Sequence, residues 1–179
     1  AAKKEGGRIV YVNGAFVPEQ QASVSVFDRG MLFADSVYEV TSVIDGRLID
    51  FPAHMERLRR SLRELAIELN VTDGELLQIH RQLLEQNAVT EGIVYCQVSR
   101  GVQDREFLFH DVELTPSLIL FTQEKNLLNN PVYKKGLRVT TRPDLRWGRC
   151  DVKTTQLLYS SMVKSEVRAE GYDDAWLIR

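Results

Sequence analysis

Cysteine is scarce in this chain, and neither long apolar runs nor an excess of one charge is present. Cys96 and Cys150 are the two cysteines, and no signal-peptide pattern accompanies them. Free thiols in a reducing compartment, the cytoplasm, are therefore expected rather than a disulfide. No apolar run approaches the roughly 20 residues of a membrane-spanning helix. The formal net charge of −2 gives no overall electrostatic reason to expect nucleic acid or an anionic membrane as a partner.

Several catalytic signatures are also missing. The three histidines, His54, His80 and His110, have no cysteine or histidine partner at metal-ligand spacing, so no transition-metal site is predicted. A Walker loop, GxGxxG and GxSxG are absent. The composition still suits a folded protein, with 44% hydrophobic and 27% charged residues. Arginine outnumbers lysine sixteen to seven among the 23 basic residues, which favours planar, multi-donor binding of anions.

The first part of the chain predicts an antiparallel sheet. Two pairs of β-rich runs are joined by Asn13-Gly14 and by Asp45-Gly46, dipeptides that suit two-residue hairpin turns. Two further runs, "GIVYCQVSRG" and "SLILFTQE", have strand character. Cys96 lies inside the first of these runs and is expected to fill space in the core.

Two amphipathic helices are predicted to cover one face of this sheet. Pro52 suits the start of the first helix. Its apolar stripe consists of Met55, Leu58, Leu62, Leu65 and Leu69. Thr72 and Glu75 have capping-box spacing at the start of the second helix. The predicted fold class is therefore α+β.

The order of these elements predicts two domains. We expect a disordered start at residues 1–7, an α+β domain at 8–125, an interdomain linker at 126–135 and the first part of a second domain at 136–179. The last segment contains a strand, a helix and the beginning of another strand. Because so few elements cannot enclose a core, we expect the C-terminal domain to be only partly present, and the alternative is that this segment packs against a partner.

Lys153 stands where a chain usually places a helix cap, in "RWGRCDVKTTQLLYSSMVKSE". The apolar spacing predicts a helix that begins near Thr154 or Thr155. A cation at the positive end of a helix is disfavoured, so the pKa of this amine is expected to be lowered. A neutral amine is what a lysine must supply to bond covalently to an aldehyde. The alternative is a surface lysine at a strand end.

Two further residues are candidates for ligand binding. Arg57 follows His54 near the start of the first helix, where a guanidinium and free backbone donors can hold an anion. Tyr38 lies on a strand and faces away from Val37 and Glu39, so its phenol can donate a hydrogen bond to a substrate carboxylate. A solvated helix face and ordinary strand packing are the respective alternatives.

Polar loops supply the remaining candidates. Asp28-Arg29-Gly30 is predicted to form a turn. The segment "SRGVQDREFLFHD" follows a strand and contains Arg100 and Arg105. An arginine on such a loop can bind a carboxylate, although an ordinary polar loop is the alternative.

Five segments in this order resemble the class IV aminotransferases, which are enzymes that use pyridoxal 5'-phosphate. They are "VNGAFVP", "DRGMLFADSVYEV", "HMERLRRS", "SRGVQDR" and "DLRWGRCDVKTTQLL". The resemblance runs from about residue 8 to Arg179 and is strongest to the D-amino acid aminotransferases of the family. It implies a two-domain, fold type IV architecture.

The resemblance also implies roles for individual residues. Lys153 matches the lysine that bonds covalently to pyridoxal 5'-phosphate, and Arg57 matches the arginine that binds its phosphate. Tyr38 matches a tyrosine that contacts substrate. Arg105 matches an arginine that binds the substrate carboxylate in the active site of the other subunit, which implies a homodimer. The family usually has histidine at the position of Phe107.

The implied activity is transfer of the amino group of a D-alanine-like donor to a 2-oxo acid such as 2-oxoglutarate. Two alternatives on the same scaffold are a branched-chain-amino-acid aminotransferase and a 4-amino-4-deoxychorismate lyase. A truncated, non-catalytic binding or oligomerisation domain is an alternative of another class. In the family, a glutamate that partners the pyridine nitrogen lies beyond the position of Arg179, so we expect the native chain to continue.

Overall fold

The structure is a computed structural model that describes residues 7–109 and 113–179. The chain forms two compact units. Of the described residues, the first unit contains those up to Lys125 together with Val152–Thr155, and the second contains Asn126–Asp151 and Gln156–Arg179. Most of the predicted disordered start, and His110, lie outside the described residues.

The first unit is a six-stranded sheet with three helices. Its strands are β1 (Ile9–Val12), β2 (Ala15–Pro18), β3 (Ser36–Ile44), β4 (Arg47–Leu48), β5 (Gly92–Ser99) and β6 (Ser117–Glu124). Its helices are α1 (Arg29–Phe33), α2 (Phe51–Glu64) and α3 (Asp73–Asn87). The strand order is β2-β1-β6-β5-β3-β4, and every pairing is antiparallel. The predicted antiparallel sheet is confirmed.

Both predicted hairpin turns are present. Asn13 and Gly14 have φ values of 47° and 98° between β1 and β2. Asp45 and Gly46 have φ values of 49° and 69° between β3 and β4. A two-residue turn of this type needs positive φ at both positions, which asparagine, aspartate and glycine tolerate. The local sequence therefore determines the register of both strand pairs.

The core lies between the sheet and helices α2 and α3, which cover one of its faces. Side chains alternate along β3, so Val37, Glu39 and Val43 are fully buried on the helix side. From α2, Met55, Leu58 and Leu62 pack into the same core, as predicted. From α3, the buried apolar residues are Leu76, Ile79, Leu83 and Leu84. The helix α2 ends at Glu64, so two residues of the predicted stripe, the C-cap Leu65 and Leu69, lie outside it.

The predicted capping box at the start of α3 is confirmed. The backbone amide of Glu75 donates to Thr72 Oγ1 at 3.2 Å, and the Thr72 amide donates to Glu75 Oε2 at 2.7 Å. Two of the amides that a helix start leaves without intrahelical partners are thereby satisfied.

The predicted turn at Asp28-Arg29-Gly30 is instead the beginning of α1. Asp28 is the N-cap, and its buried carboxylate accepts hydrogen bonds from the Gly30 amide and from the hydroxyls of Ser99 and Ser117, at 2.7–2.9 Å. A Cβ atom on Gly30 would lie 2.9 Å from Asp28 Oδ1, so the close approach requires glycine. Asp28 therefore ties α1 to the ends of β5 and β6.

The second unit consists of α4 (Val132–Lys135), β7 (Val139–Pro143), α5 (Leu158–Ala169) and β8 (Asp174–Ile178). The strands β7 and β8 pair in parallel, from Val139 with Asp174 to Pro143 with Ile178. Of the helices in the described ranges, none has the length and apolar character that crossing a bilayer requires.

Candidate active site

The segment that carries Lys153 lies against the edge of β3 in the first unit. The Lys153 carbonyl accepts a hydrogen bond from the Tyr38 amide at 3.1 Å, and the Thr155 amide donates to the Ser36 carbonyl at 3.2 Å. Two side-chain hydroxyls reinforce this pairing, since Ser36 Oγ and Thr155 Oγ1 are 2.6 Å apart. The backbone on both sides of Lys153 is therefore fixed to one strand.

The prediction that a helix begins at Thr154 or Thr155 is wrong. The helix α5 begins at Leu158, and its N-cap residue, Leu157, provides no side-chain cap. The physical reason is that residues 153–155 pair with β3, and the Thr155 hydroxyl is hydrogen-bonded to Ser36. Lys153 does not adjoin a helix start, so the helix-dipole argument has no structural basis.

The amine of Lys153 lies over an aromatic ring. Its Nζ is 3.9 Å from the centroid of the Tyr38 ring, within the range of a cation–π contact. Tyr38 stacks on Tyr95 at 5.6 Å, and Tyr95 stacks on Phe121 at 4.8 Å, so three rings form a row on the sheet face opposite the helices. Burial, followed by the influence of Tyr38, raises the pKa of Tyr95 to about 12, so Tyr95 is neutral at physiological pH. Lys153 itself is half-buried.

Arg57 of α2 forms a two-point ion pair with a fully buried carboxylate. Its Nε and Nη2 atoms donate to the two oxygens of Glu39, each at 2.7 Å. His54 Nδ1 lies 2.7 Å from the same carboxylate, so this nitrogen carries the proton when the imidazole is neutral. Glu39 has no exposed surface, whereas 47% of the Arg57 side chain is exposed. The guanidinium is therefore anchored at its inner edge and open at its outer edge.

The charges in this cluster favour an ionised Glu39. Burial alone would raise the pKa of this carboxyl, but the hydrogen bonds from Arg57 and His54 outweigh it and lower the pKa below its ordinary value. The hydrogen bond to Glu39 correspondingly raises the pKa of Arg57. Both partners are charged at neutral pH. Arg57 Nη1 has no hydrogen-bond partner among residues 7–109 and 113–179, so it can donate to an anion.

Arg105 lies on a separate loop of the first unit. Its guanidinium lies 5.5 Å from the centroid of the Phe33 ring and 5.4 Å from that of Phe107. Among the described residues it forms no hydrogen bond or ring contact with Lys153, Arg57 or Tyr38. The structure thus places the Lys153 amine against Tyr38, and it anchors Arg57 to Glu39, the next residue of the same strand. Arg105 does not take part in this cluster.

Buried arginines hold this loop in place. Arg29 is 3% exposed, and its Nη1 donates to the Glu106 carbonyl at 2.6 Å. Asp35 accepts from Arg29 Nε at 2.8 Å and from Arg100 Nε at 2.7 Å. Arg100 also stacks over the Phe109 ring at 3.7 Å. Arg100 was a candidate for ligand binding because of its place on the loop. It is only 7% exposed and is engaged by Asp35 and Phe109, so its role is structural.

Two groups at the site were missed by reasoning from the sequence. Glu39 lies on the same face of β3 as the buried Val37, so the alternation of side chains along the strand predicts that it points into the core. An ionisable residue at a core position indicates a buried ion pair. Ser61 lies on α2, and its Oγ accepts from the Lys153 amide at 3.3 Å. Nothing in the local pattern of α2 indicates this contact, because it joins residues far apart in the chain.

Comparison with known proteins agrees with this architecture. The sequence model of amino-transferase class IV matches residues 36–179. A D-alanine aminotransferase of Staphylococcus aureus (strain MSSA476) is 34% identical over 155 residues, which are 87% of this chain and 55% of that protein. One from Staphylococcus epidermidis is 37% identical over the same shares of the two chains. The chain thus spans little more than half the length of these relatives.

A solved structure shows the same fold. It is the branched-chain aminotransferase of the thermophilic archaeon Thermoproteus uzoniensis, with norvaline. The TM-score is 0.81 at 22% identity, over 97% of this chain and 60% of that one. The chain belongs to the class IV aminotransferase family. Within that family, the relatives by sequence described above are D-alanine aminotransferases.

Proposed function

We propose that this chain is part of a pyridoxal-phosphate-dependent D-amino acid aminotransferase. The reaction would move the amino group of a D-alanine-like donor to a 2-oxo acid such as 2-oxoglutarate. The names of the relatives with 34% and 37% identity support the donor class. The observation that carries the proposal is the position of Lys153, whose amine lies over Tyr38 while its backbone is paired with the strand that holds Arg57 through Glu39.

The residues present suit pyridoxal 5'-phosphate. The outer edge of Arg57 can donate to a phosphate oxygen, because Glu39 occupies only Nε and Nη2. Lys153 supplies a primary amine for the aldehyde. When bound, the cofactor supplies an electron-accepting ring beside the α-carbon of the substrate. The role of the chain is to hold the two ends of this molecule.

Lys153 would have two tasks in the reaction. Its amine would hold the aldehyde of the cofactor, and as a free amine it could take up and release a proton beside the α-carbon of the substrate. The ring of Tyr38 keeps this amine at one place on the sheet face, and the phenol is available to a substrate carboxylate. Both tasks need one position of the nitrogen atom.

We also propose a homodimer in which Arg105 serves the active site of the second subunit. Large apolar side chains are exposed on the loop that carries Arg105 and on the segment around α1, which that loop contacts: Phe107 is 70% exposed, Leu108 67%, Met31 66% and Phe27 49%. Exposed apolar side chains grouped in this way are typical of a protein interface. Arg105 makes no contact with Lys153 in its own chain, which agrees with a role in another subunit. Sedimentation of the native protein should give twice the chain mass, and a monomer would contradict this part of the proposal.

The activity is tested by offering single enantiomers to the full-length native protein. We expect amino transfer from D-alanine to 2-oxoglutarate, and exclusive turnover of L-leucine or release of pyruvate from aminodeoxychorismate would overturn the substrate assignment. A protein that binds the cofactor but transfers no amino group would support the non-catalytic alternative.

The role of Arg57 is tested separately. Arg57→Ala should weaken binding of pyridoxal 5'-phosphate more than it lowers turnover at saturating cofactor, because the arginine contacts the phosphate and not the reacting atoms. The exposed Arg63 on the same helix offers the matched control, Arg63→Ala, which should bind the cofactor normally. Unchanged affinity in Arg57→Ala would remove this residue from the site.

A further inference from the structure

The helix α2 presents two polar groups one turn apart on the same side. Arg57 and Ser61 are separated by four positions, so their side chains are neighbours on the helix surface. Arg57 reaches Glu39 on β3. Ser61 is 1% exposed, and its hydroxyl accepts a hydrogen bond from the Lys153 amide. One turn of α2 thus carries Arg57, the candidate phosphate-binding residue, and also contacts the backbone of Lys153 through Ser61.

Lys153 is held from two directions. Its carbonyl accepts from the Tyr38 amide at 3.1 Å, which ties it to the sheet, and its amide donates to Ser61 Oγ at 3.3 Å, which ties it to the helix. The adjacent Ser36 and Thr155 hydroxyls, 2.6 Å apart, keep the segment from sliding along β3. The sheet fixes the position of the segment along the strand, and Ser61 fixes its distance from α2.

We propose that Ser61 is a positioning residue that sets the place of the Lys153 amine relative to Arg57, and so matches the spacing of the two anchors to the length of the cofactor. This inference rests on the proposed function. A rigid ligand held at its phosphate reaches the amine with its aldehyde only if the two anchors are correctly spaced, and a misplacement of about 1 Å at a reacting atom can cost on the order of a hundredfold in rate.

Removal of the Ser61 hydroxyl has a definite local consequence. The Lys153 amide is partly buried, and without its acceptor it must move toward water to recover a hydrogen bond. In the described part of the chain the Glu39–Arg57 ion pair shares no hydrogen bond with Ser61, so it should remain in place. The covalent bond to the aldehyde should therefore become less favourable, while recognition of the phosphate should not change.

Two cofactor forms separate these effects in the full-length native protein. Pyridoxal 5'-phosphate can bond covalently to Lys153. Pyridoxamine 5'-phosphate has the same ring and phosphate but an amine in place of the aldehyde, so it cannot. In Ser61→Ala we expect the dissociation constant for pyridoxal 5'-phosphate to rise about tenfold and that for pyridoxamine 5'-phosphate to stay within about twofold of the original. The kcat with D-alanine should fall, while KM changes little.

A matched control is Thr41→Val. This change also removes a buried hydroxyl, from the same strand that carries Tyr38, and Thr41 Oγ1 has no hydrogen-bond partner in the described part of the chain. Both cofactor forms should bind this variant as they bind the original protein. If Ser61→Ala does not fold, the same comparison is made with Ser61→Cys, which keeps the size of the side chain but replaces the hydroxyl oxygen that accepts from the Lys153 amide with a weaker acceptor.

Equal weakening of both cofactor forms in Ser61→Ala, or no change in either, would overturn the positioning role. These results differ from a failure of the proposed function. If Lys153→Ala bound pyridoxal 5'-phosphate as tightly as the original protein and retained its absorbance band, the assignment of Lys153 itself would be wrong.

Discussion

Acidification should destabilise the first unit through His80, a histidine buried in α3. Its side chain has no exposed surface, its Nδ1 lies 2.7 Å from the Leu76 carbonyl, and the Phe51 ring meets it edge-on at 5.1 Å. Its Nε2 has no hydrogen-bond partner among the described residues. A second proton would therefore be buried without an acceptor, and burial accordingly lowers the pKa of His80 from 6.5 to about 4.

The sign and size of the effect follow from proton linkage. Between the two pKa values the unfolded chain binds a proton at this histidine and the folded chain does not, so the free energy of unfolding falls as the pH is lowered from about 6.5 towards 4. Above this range both states are neutral and His80 contributes nothing. With these pKa values the loss between about pH 7.5 and about pH 5 is about 2 kcal/mol.

Urea unfolding of the cofactor-free protein and of His80→Leu at these two pH values tests this reasoning. The leucine variant loses one hydrogen bond and has its own baseline stability, so the quantity compared is the change in the free energy of unfolding with pH. That change should be smaller in His80→Leu by about 2 kcal/mol. The other ionisable groups are the same in the two proteins, so this difference isolates the contribution of His80. An identical pH dependence in the two proteins would show that His80 is not buried in its neutral form.

Three substitutions test other parts of the structure, with chemical unfolding as the measurement. Gly92→Ala should cost well over 2 kcal/mol, since φ is 153° and a Cβ atom would lie 2.2 Å from the Gln123 carbonyl oxygen; a soluble variant of normal stability would contradict the β5–β6 register. Thr72→Ala should cost about 1 kcal/mol by removing the cap of α3, whereas Thr72→Ser should cost less. Glu39→Gln should lower the free energy of unfolding by about 2 kcal/mol. The loss should be smaller than for a fully buried pair, because the half-exposed Arg57 can be hydrated again. An unchanged unfolding midpoint would show that the ion pair does not form.

The parts of the fold that local chemistry determines could be predicted from the sequence. Asn13-Gly14 and Asp45-Gly46 each suit one turn type, and Thr72 with Glu75 forms the cap that the spacing indicates. In each case the residues that determine the structure are within three positions of one another. Their interactions do not depend on the rest of the fold.

The surroundings of Lys153 could not be predicted in this way. Thr154 and Thr155 have the composition of a helix cap, but pairing with β3 and the hydroxyl of Ser36 override that preference, and the helix begins at Leu158. These partners are distant in sequence. Position along the chain marked Lys153, Arg57 and Tyr38 only as candidates with ordinary alternatives, and the resemblance in the order of short segments supplied their implied roles.

The direct test of the central claim is to locate the covalent bond. The full-length native protein is incubated with pyridoxal 5'-phosphate, reduced with borohydride, digested and examined by mass spectrometry. We predict that the reduced cofactor is attached to Lys153 and that Lys153→Ala loses both the adduct and the visible absorbance of the bound cofactor. Attachment at any other lysine, or an unmodified Lys153 in protein that has bound the cofactor, would contradict the account.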